Sequence, residues 1–170
     1  MKKILWGVLP LMIMAGSIAS CSDDDNEYRS EPPLLSDLSV KVLQQPASSE
    51  IHVGDRVVVT AEQSKKGRLL NATTYGWSST PTVAHRFTKS VIYDKQPVNP
   101  TDTVVFDKPG QYTLRFEGKY NASGNTHVWS NKHGVTFTQD FASGDGRVTY
   151  QTGSLIYFKV IATKQVTVLP

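Results

Sequence analysis

The stretch Gly110-Gln111-Tyr112-Thr113-Leu114-Arg115-Phe116-Glu117-Gly118 decides the fold class of this 170-residue chain. Its large apolar side chains occupy every second position and polar side chains fill the positions between, which is the pattern of a β-strand with one buried face. The same alternation recurs at residues 38–42, 56–63, 73–79 and 156–168, and no window after residue 36 carries a sustained helical pattern. The sequence therefore predicts an all-β chain.

Turn sequences separate the predicted strands. Val53-Gly54-Asp55, Lys108-Pro109-Gly110 and residues 143–146 contain glycine, proline and aspartate, which favour tight turns. Short strands at this spacing, without helices that cross over between them, indicate an antiparallel β-sandwich. In the last predicted strand the apolar side chains keep one parity over residues 156–168, with Lys164 as the one exception.

Three segments follow one another in an order that is similar to a known family: Val53-Gly54-Asp55-Arg56-Val57, Tyr75-Gly76-Trp77 and Asp107-Lys108-Pro109-Gly110-Gln111-Tyr112-Thr113-Leu114. This order resembles the PKD-type immunoglobulin-like domain, in which a Tyr-x-Trp strand precedes a Pro-Gly-x-Tyr-Thr strand. The resemblance covers about residues 38–116 and the last predicted strand, and it implies an immunoglobulin-like sandwich with Trp77 in its core. The chain departs from the family after Trp77, where Ser78-Ser79-Thr80-Pro81 stands in place of a Phe-Gly-Asp-Gly turn.

Residues 117–154 separate the central predicted strand from the last one, where a sandwich needs only a short hairpin loop. A segment of this length is too long to lack structure inside a compact domain, so we expect an added hairpin or sheet extension. Trp129 lies in this segment with His127 and His133 among polar residues, which makes the three residues candidate ligand contacts. Two interpretations of Trp129 stay equally open: a surface on which a sugar or a partner stacks, and an anchor that packs the extension onto the sandwich.

The sequence contains none of the short motifs that mark common hydrolases, such as Gly-x-Ser-x-Gly or His-Glu-x-x-His. A zinc site shared by His127 and His133 is the metal-binding alternative, and solvated loop histidines are the interpretation that we favour. Asp140 and Asp145 lack the alternating oxygen ligands of an EF-hand, which favours a turn stabilised by hydrogen bonds. We therefore expect no catalytic residues, no metal and no cofactor.

The first 20 residues resemble the signal peptide of bacterial lipoproteins. Lys2-Lys3 supplies the positive start, residues 4–18 are apolar but short for a membrane-spanning helix, and small residues lead into Cys21. The resemblance implies that residues 1–20 are removed and that Cys21 is acylated; an ordinary secretory signal is the alternative. The predicted divisions are the signal peptide (1–20), the lipidated cysteine with a flexible acidic tether (21–36), and the PKD-like sandwich (37–170).

Two further short motifs fit an exported protein. Ser22-Asp23-Asp24-Asp25 resembles the surface-export signal of lipoproteins in the Bacteroidota, which implies the outer leaflet of the outer membrane; a charged spacer is the alternative. Asp102-Thr103-Val104 resembles the O-glycosylation site of exported proteins in the same group. Thr103 is therefore a candidate for modification, which we expect in an exposed loop, and a chance match is the alternative.

Charge and cysteine content exclude several other functions. Without residues 1–20 the chain keeps 16 basic and 15 acidic residues, a net charge of +1. This balance gives no support to nucleic-acid binding. Cys21 is the only cysteine, which excludes an intramolecular disulfide and a cluster of thiolate metal ligands.

These observations lead to one main hypothesis about function. The resemblances imply a non-enzymatic binding or assembly lipoprotein that is anchored at the outer-membrane surface through Cys21 and contacts a polysaccharide or other surface lipoproteins. The alternative is a structural spacer or a subunit of a cell-surface complex, and a metal-dependent enzyme comes third. The sequence does not identify the ligand.

Overall fold

The computed structural model describes residues 28–43, 50–83, 87–93, 99–153 and 156–170. Its strands and its helix are β1 (Leu34–Val42), β2 (Ile51–His52), β3 (Arg56–Lys65), β4 (Leu70–Thr80), β5 (Lys89–Tyr93), β6 (Thr101–Val105), β7 (Gly110–Ala122), α1 (His127–His133), β8 (Thr136–Asp140), β9 (Gly146–Gly153) and β10 (Tyr157–Leu169). The signal peptide, Cys21 and residues 22–25 lie outside the described residues, so what we predict for them stays a prediction. Within the described ranges, no helix has the length and apolar character that crossing a bilayer requires.

The described strands form two sheets. The small sheet has the order β1-β3-β6, and the large sheet has the order β5-β4-β7-β10-β9-β8, with β2 beside the end of β10. Neighbouring strands are antiparallel, except that β2 and β10 run parallel. The predicted all-β antiparallel sandwich is therefore confirmed.

The alternating residues of the central strand β7 build the middle of the core. Tyr112, Leu114 and Phe116 are all buried, as the alternation predicts. Trp77 of β4 is also buried, and the centroid of its ring lies 5.2 Å from that of Phe116. The prediction that Trp77 belongs to the core is confirmed.

Lys164 breaks the apolar parity of β10 because it carries an ion-pair cluster. Its side chain is only 12% exposed, and its Nζ lies 2.8 Å from Oδ1 of Asp37 and 3.2 Å from Oδ2 of Asp145. A lysine at a core-facing position is tolerated when partners of opposite charge meet it. Lys164 thereby joins the first strand of the small sheet to the turn before β9.

The expectation of a flexible tether up to residue 36 is wrong for residues 28–36. Ser30 is fully buried; its Oγ donates a hydrogen bond to the carbonyl of Leu69 (2.7 Å) and accepts one from the N–H of Gly124 (2.9 Å). Strand β1 begins at Leu34, and Leu35 is buried in the core. The folded part of the chain therefore includes residue 28, and residues 21–27 of the predicted tether lie outside the described residues.

Residues 117–154 form more than the predicted hairpin. Strands β8 and β9 make the expected sheet extension, because β9 pairs with β10 and β8 pairs with β9. The first part of the segment instead prolongs β7 to Ala122 and then forms helix α1. A helix of seven residues spans about two turns, so it shows no repeating apolar stripe that a sequence pattern could detect.

Candidate functional site

A cleft of about 270 Å3 lies beside α1, where the helix meets the N-terminal segment (residues 29–34), the end of β3 and strand β8. We call it the α1 cleft. Its aromatic wall consists of Trp129, His133 and Phe137. Its charged side chains are those of Arg29, Glu31, Lys65 and Lys132. The cleft unites two of the three predicted ligand contacts with residues that the sequence did not indicate.

Trp129 anchors the aromatic wall to the core. It is only 8% exposed, and its ring meets those of Tyr150 and Phe158 edge to face at centroid distances of 5.9 Å and 6.3 Å. The imidazole of His133 stacks on the indole at 4.1 Å, and Phe137 lies 5.0 Å from that imidazole. Trp129 is therefore a packing anchor, and the interpretation of a solvent-facing stacking surface is wrong.

The unequal width of the two sheets explains why Trp129 is buried. The small sheet contains three of the described strands, whereas the large sheet extends through β9 to β8 on one side. The inward side chains Tyr150 and Phe158 would lie uncovered near that side, and the hydrophobic effect favours any element that covers them. Helix α1 does so by placing Trp129 against both.

The two predicted histidines have different surroundings. His133 is half-buried in the α1 cleft, whereas His127 is exposed and does not line it. The backbone N–H of His127 donates a hydrogen bond to Oδ1 of Asn125 (2.7 Å) at the start of α1. Among the described residues, no group of three or more His, Cys, Asp and Glu side chains is placed to hold a metal ion.

Glu31 is the one carboxylate among the described charged side chains that line the α1 cleft. Its carboxylate accepts hydrogen bonds from Nη2 of Arg29 (2.6 Å) and from Nζ of Lys65 (3.1 Å), and the residue is only 8% exposed. Burial raises the pKa of Glu31, but the hydrogen bonds and charges of the two cations outweigh it, so that its pKa lies below the usual value. Glu31 therefore stays ionised and fixes both cations in place.

The α1 cleft carries a surplus of positive charge. Arg29, Lys65 and Lys132 face a single carboxylate, that of Glu31, which leaves a net charge of +2 around an aromatic wall. Lys132 is exposed and has no ion-pair partner among the described residues. An apolar wall beside a few fixed charges suits a small ligand that has one apolar face and one anionic group.

A second concave surface lies on the outer face of the large sheet. It is a trough of about 480 Å3 over β4 and β7, and Gly76 is one of its lining residues. It is lined by the charged side chains of Arg115, Glu117 and Lys119, and Glu117 pairs with Arg115 (2.5 Å) and with Lys159 (3.0 Å). The nearby ring of Trp77 packs inward against the core, so the trough lacks the aromatic wall of the α1 cleft.

Arg29 and Glu31 were missed by sequence reasoning because they fall in a polar, proline-containing stretch without periodicity. The apolar pair Leu34-Leu35, directly after Pro32-Pro33, was the available signal that the chain packs against something at this point. Lys65 was missed for another reason. It ends strand β3, where an exposed lysine is ordinary.

Thr103 lies in a strand and not in the loop that we expected. It belongs to β6, which forms one edge of the small sheet, and its side chain is exposed. The neighbouring Asp102 uses its carboxylate locally, because Oδ2 accepts a hydrogen bond from the N–H of Thr88 and Oδ1 accepts one from Thr103 (both 2.7 Å). Modification of Thr103 stays a prediction.

Comparison with protein-family models, with curated proteins and with solved structures gave no match to this chain.

Proposed function

We propose that this chain is a non-enzymatic, PKD-like lipoprotein of the outer-membrane surface that binds an acidic sugar unit in the α1 cleft. The observation that carries the proposal is the combination of an aromatic wall with a net charge of +2 in one cleft. The resemblance of residues 1–25 to an export and lipidation signal supports the location. The cleft volume, about 270 Å3, lies just below the range of about 300–1,000 Å3 that is common for small-molecule sites, which suits one unit of a glycan better than a long chain.

Each group of the cleft has a distinct part in this binding. The apolar face of a sugar ring would lie against His133 and Phe137, which Trp129 holds in position. The sugar carboxylate would approach Lys132, the cation whose charge Glu31 does not compensate. Arg29 is already held by Glu31, so it contributes orientation and hydrogen bonds at the rim more than free charge.

Titration calorimetry with uronate-containing oligosaccharides and their neutral counterparts tests this proposal. We expect the uronate-containing sugars to bind and Lys132→Ala to weaken their binding at least about tenfold, because a hydrogen bond to a charged group contributes about 1.5–3 kcal/mol. Lys41→Ala is the matched control, since Lys41 is an exposed lysine of β1 outside the cleft. Equal binding of acidic and neutral sugars, or an unchanged affinity of Lys132→Ala, would contradict the proposal.

Failure of all sugars to bind would favour the alternative function, a structural spacer or a subunit that contacts other surface lipoproteins. Affinity capture after mild crosslinking of intact cells then distinguishes the two cases. A subunit would be recovered with a defined partner, and Lys132→Ala would leave that recovery unchanged. A spacer without ligand would be recovered with no constant partner.

The lipid anchor has a test of its own. Intact-mass analysis of the protein from its native membrane should show that residues 1–20 are absent and that Cys21 carries acyl chains. Cys21→Ser should release the protein from membranes, because stable anchoring needs two or more chains. Replacing Asp23, Asp24 and Asp25 with alanine should keep the protein in the membrane and hide it from external protease, and continued digestion would contradict the surface-export interpretation.

A further inference from the structure

The exposed apolar side chains of this protein are unevenly distributed. Among the described residues, six large apolar side chains are more than a third exposed. Four of them are Tyr28 (73%), Leu69 (37%), Val135 (67%) and Ile156 (63%). Isolated exposed apolar residues are ordinary on any surface, whereas a group of them at one place marks an interaction site.

Three of these four residues surround one short stretch of chain, residues 122–125. The carbonyl of Ile156 accepts a hydrogen bond from Ala122 (2.7 Å). The carbonyl of Leu69 accepts a hydrogen bond from the N–H of Ser123 (2.9 Å), and the carbonyl of Tyr28 accepts one from the N–H of Asn125 (2.6 Å). Tyr28, Leu69 and Ile156 therefore lie at the same end of the sandwich.

Val135 belongs to the same end. Its carbonyl accepts a hydrogen bond from the N–H of Thr152 (2.9 Å), one residue before Gly153. The carbonyl of Gly153 in turn accepts a hydrogen bond from the N–H of Ile156 (3.2 Å). We call the end that carries Tyr28, Leu69, Val135 and Ile156 the N-terminal pole.

The other two exposed apolar residues, Leu43 and Val53, lie at the opposite end. The N–H of Val53 bonds to the carbonyl of Leu169 (3.0 Å), at the far end of β10 from the N-terminal pole. Strand β10 has 13 residues, which at about 3.3 Å each separates the two ends by about 40 Å. Leu43 and Val53 are therefore suitable controls, because they are exposed apolar side chains at the end of the sandwich far from the N-terminal pole.

The chain enters the sandwich at the N-terminal pole. Under the proposed function Cys21 is acylated, and the present inference rests on that anchor. Six residues, 22–27, then join the lipid to Tyr28. The seven Cα–Cα steps from Cys21 to Tyr28 cannot span more than about 25 Å, even at full extension. The anchor thus holds the N-terminal pole within reach of the bilayer surface.

The charges next to the pole suit the headgroup region. Lys66 and Arg68, in the turn that precedes Leu69, are both exposed. Basic side chains beside apolar ones are typical of surfaces that lie in the membrane interface. The acidic residues among 22–27 compete for the same cations, so the four apolar side chains carry the argument.

We propose that the N-terminal pole docks on the lipid bilayer, with the side chains of Tyr28, Leu69, Val135 and Ile156 in the interfacial region. The sandwich then rests upright on the membrane and does not stand off from it on a tether. Its opposite end, with Leu43 and Val53, points away from the bilayer by the length of β10.

The test uses the acylated protein in vesicles of phosphatidylethanolamine and phosphatidylglycerol. Cys21 is the only cysteine, so Val135→Cys or Ile156→Cys introduces the only thiol that remains free after acylation. We expect a polarity-sensitive fluorophore at either position to shift its emission to shorter wavelength and to lose at least half of its intensity to a lipid-borne quencher. The same label on Leu43→Cys or Val53→Cys should report water and resist the quencher. Equal, water-like emission at both ends would overturn the proposal.

A second measurement removes the dependence on the anchor. The Cys21→Ser protein lacks stable anchoring, so its residual binding is measured at lipid concentrations high enough to bind part of it. Serine at all four positions of the N-terminal pole should then weaken vesicle binding about tenfold, whereas serine at Leu43 and Val53 should leave it unchanged. An equal effect of the two sets would overturn the docking. The anchor is checked separately by the mass of Cys21, and sugar binding by calorimetry, so failure of either part of the proposed function is distinguishable from failure of the docking.

Discussion

Two buried tyrosines of the large sheet, Tyr150 and Tyr120, differ in the hydrogen bonding of their hydroxyl groups. The hydroxyl of Tyr150 accepts a hydrogen bond from the N–H of Leu35 (2.9 Å), and burial raises its pKa to about 12 although this bond opposes the rise. The hydroxyl of Tyr120 is buried without a hydrogen-bond partner among the described residues, and burial raises its pKa further. The same chemical group therefore contributes to stability in one residue and not in the other.

Phenylalanine substitution should separate the two tyrosines. Tyr150→Phe leaves the buried N–H of Leu35 unpaired, which should lower the free energy of unfolding by about 1–3 kcal/mol. Tyr120→Phe removes a hydroxyl that has no partner, so it should leave that free energy unchanged or raise it. Urea denaturation of both variants measures the difference, and equal losses would contradict the assignment.

The two tryptophans of the folded part should now behave alike. Trp77 and Trp129 are 7% and 8% exposed and both pack on aromatic rings. Alanine at either position should lower the free energy of unfolding by about 3–5 kcal/mol, as truncation of a buried aromatic residue does. His127→Ala, an exposed change on α1, is the control and should stay within about 0.5 kcal/mol. If Trp129→Ala is as stable as the wild type, Trp129 is not a packing anchor, and the interpretation of an exposed stacking surface would have to be reinstated.

At the scale of the elements, Gly124 decides how the N-terminal segment docks. A Cβ at this position would collide with the carbonyl oxygen of Tyr28, a backbone atom that cannot rotate away. Gly124→Ala should therefore displace residues 28–31 and cost about 1–3 kcal/mol of stability, as overpacking does. Amide hydrogen exchange should accelerate at Ser30, whose N–H bonds to the carbonyl of Asn125.

Ser123→Ala is the matched control for this prediction. Ser123 is exposed, and its backbone N–H bond to Leu69 does not depend on its side chain. Exchange at Ser30 should be unchanged in this variant. Unchanged exchange in Gly124→Ala as well would show that the segment adapts and that its docking does not depend on the glycine.

The elements also show what the sequence could predict. Strands such as β7 and β10 were predictable, because each presents several alternating side chains to the core and the pattern repeats within one element. Helix α1 and the segment around Ser30 were not predictable, because each is held by contacts with chain that is distant in sequence and not by a pattern within the element. The same limit applies to the α1 cleft. His133 was a candidate from the sequence, whereas the role of Glu31 depends on Lys65, which lies at the end of β3.

At the scale of the whole molecule, ion-paired carboxylates join parts of the chain that are distant in sequence. Asp37 and Asp145 meet at Lys164, and Glu31 joins the N-terminal segment to the end of β3. Glu117 joins β7 to β10 through Lys159. Such pairs depend on ionised carboxyl groups, so the protein as a whole should respond to acid.

The pKa shifts of three carboxyl groups determine how the stability of the protein changes with pH. Burial raises the pKa of Glu31, Glu117 and Asp145, but hydrogen bonds and nearby cations outweigh it, so each pKa lies below its ordinary value. A lowered pKa in the folded state means that the unfolded chain takes up protons first. The stability that these groups contribute is therefore complete above the ordinary values of 4.5 for Glu and 3.8 for Asp and is lost as the pH falls through the lowered ones.

Glu31→Gln should reveal the share of this acid response that belongs to the α1 cleft. The variant should be less stable than the wild type at pH 7, because Arg29 and Lys65 lose their charged partner in a part-buried site. The difference between the two proteins should shrink as the pH falls below the ordinary value of 4.5, because the unfolded chain then takes up a proton that the folded carboxyl does not yet bind. Denaturation at a series of pH values measures this, with Asp107→Asn, at an exposed carboxyl, as the control. A difference between wild type and Glu31→Gln that stays constant down to pH 3 would show that Glu31 acts by its shape and not by its charge.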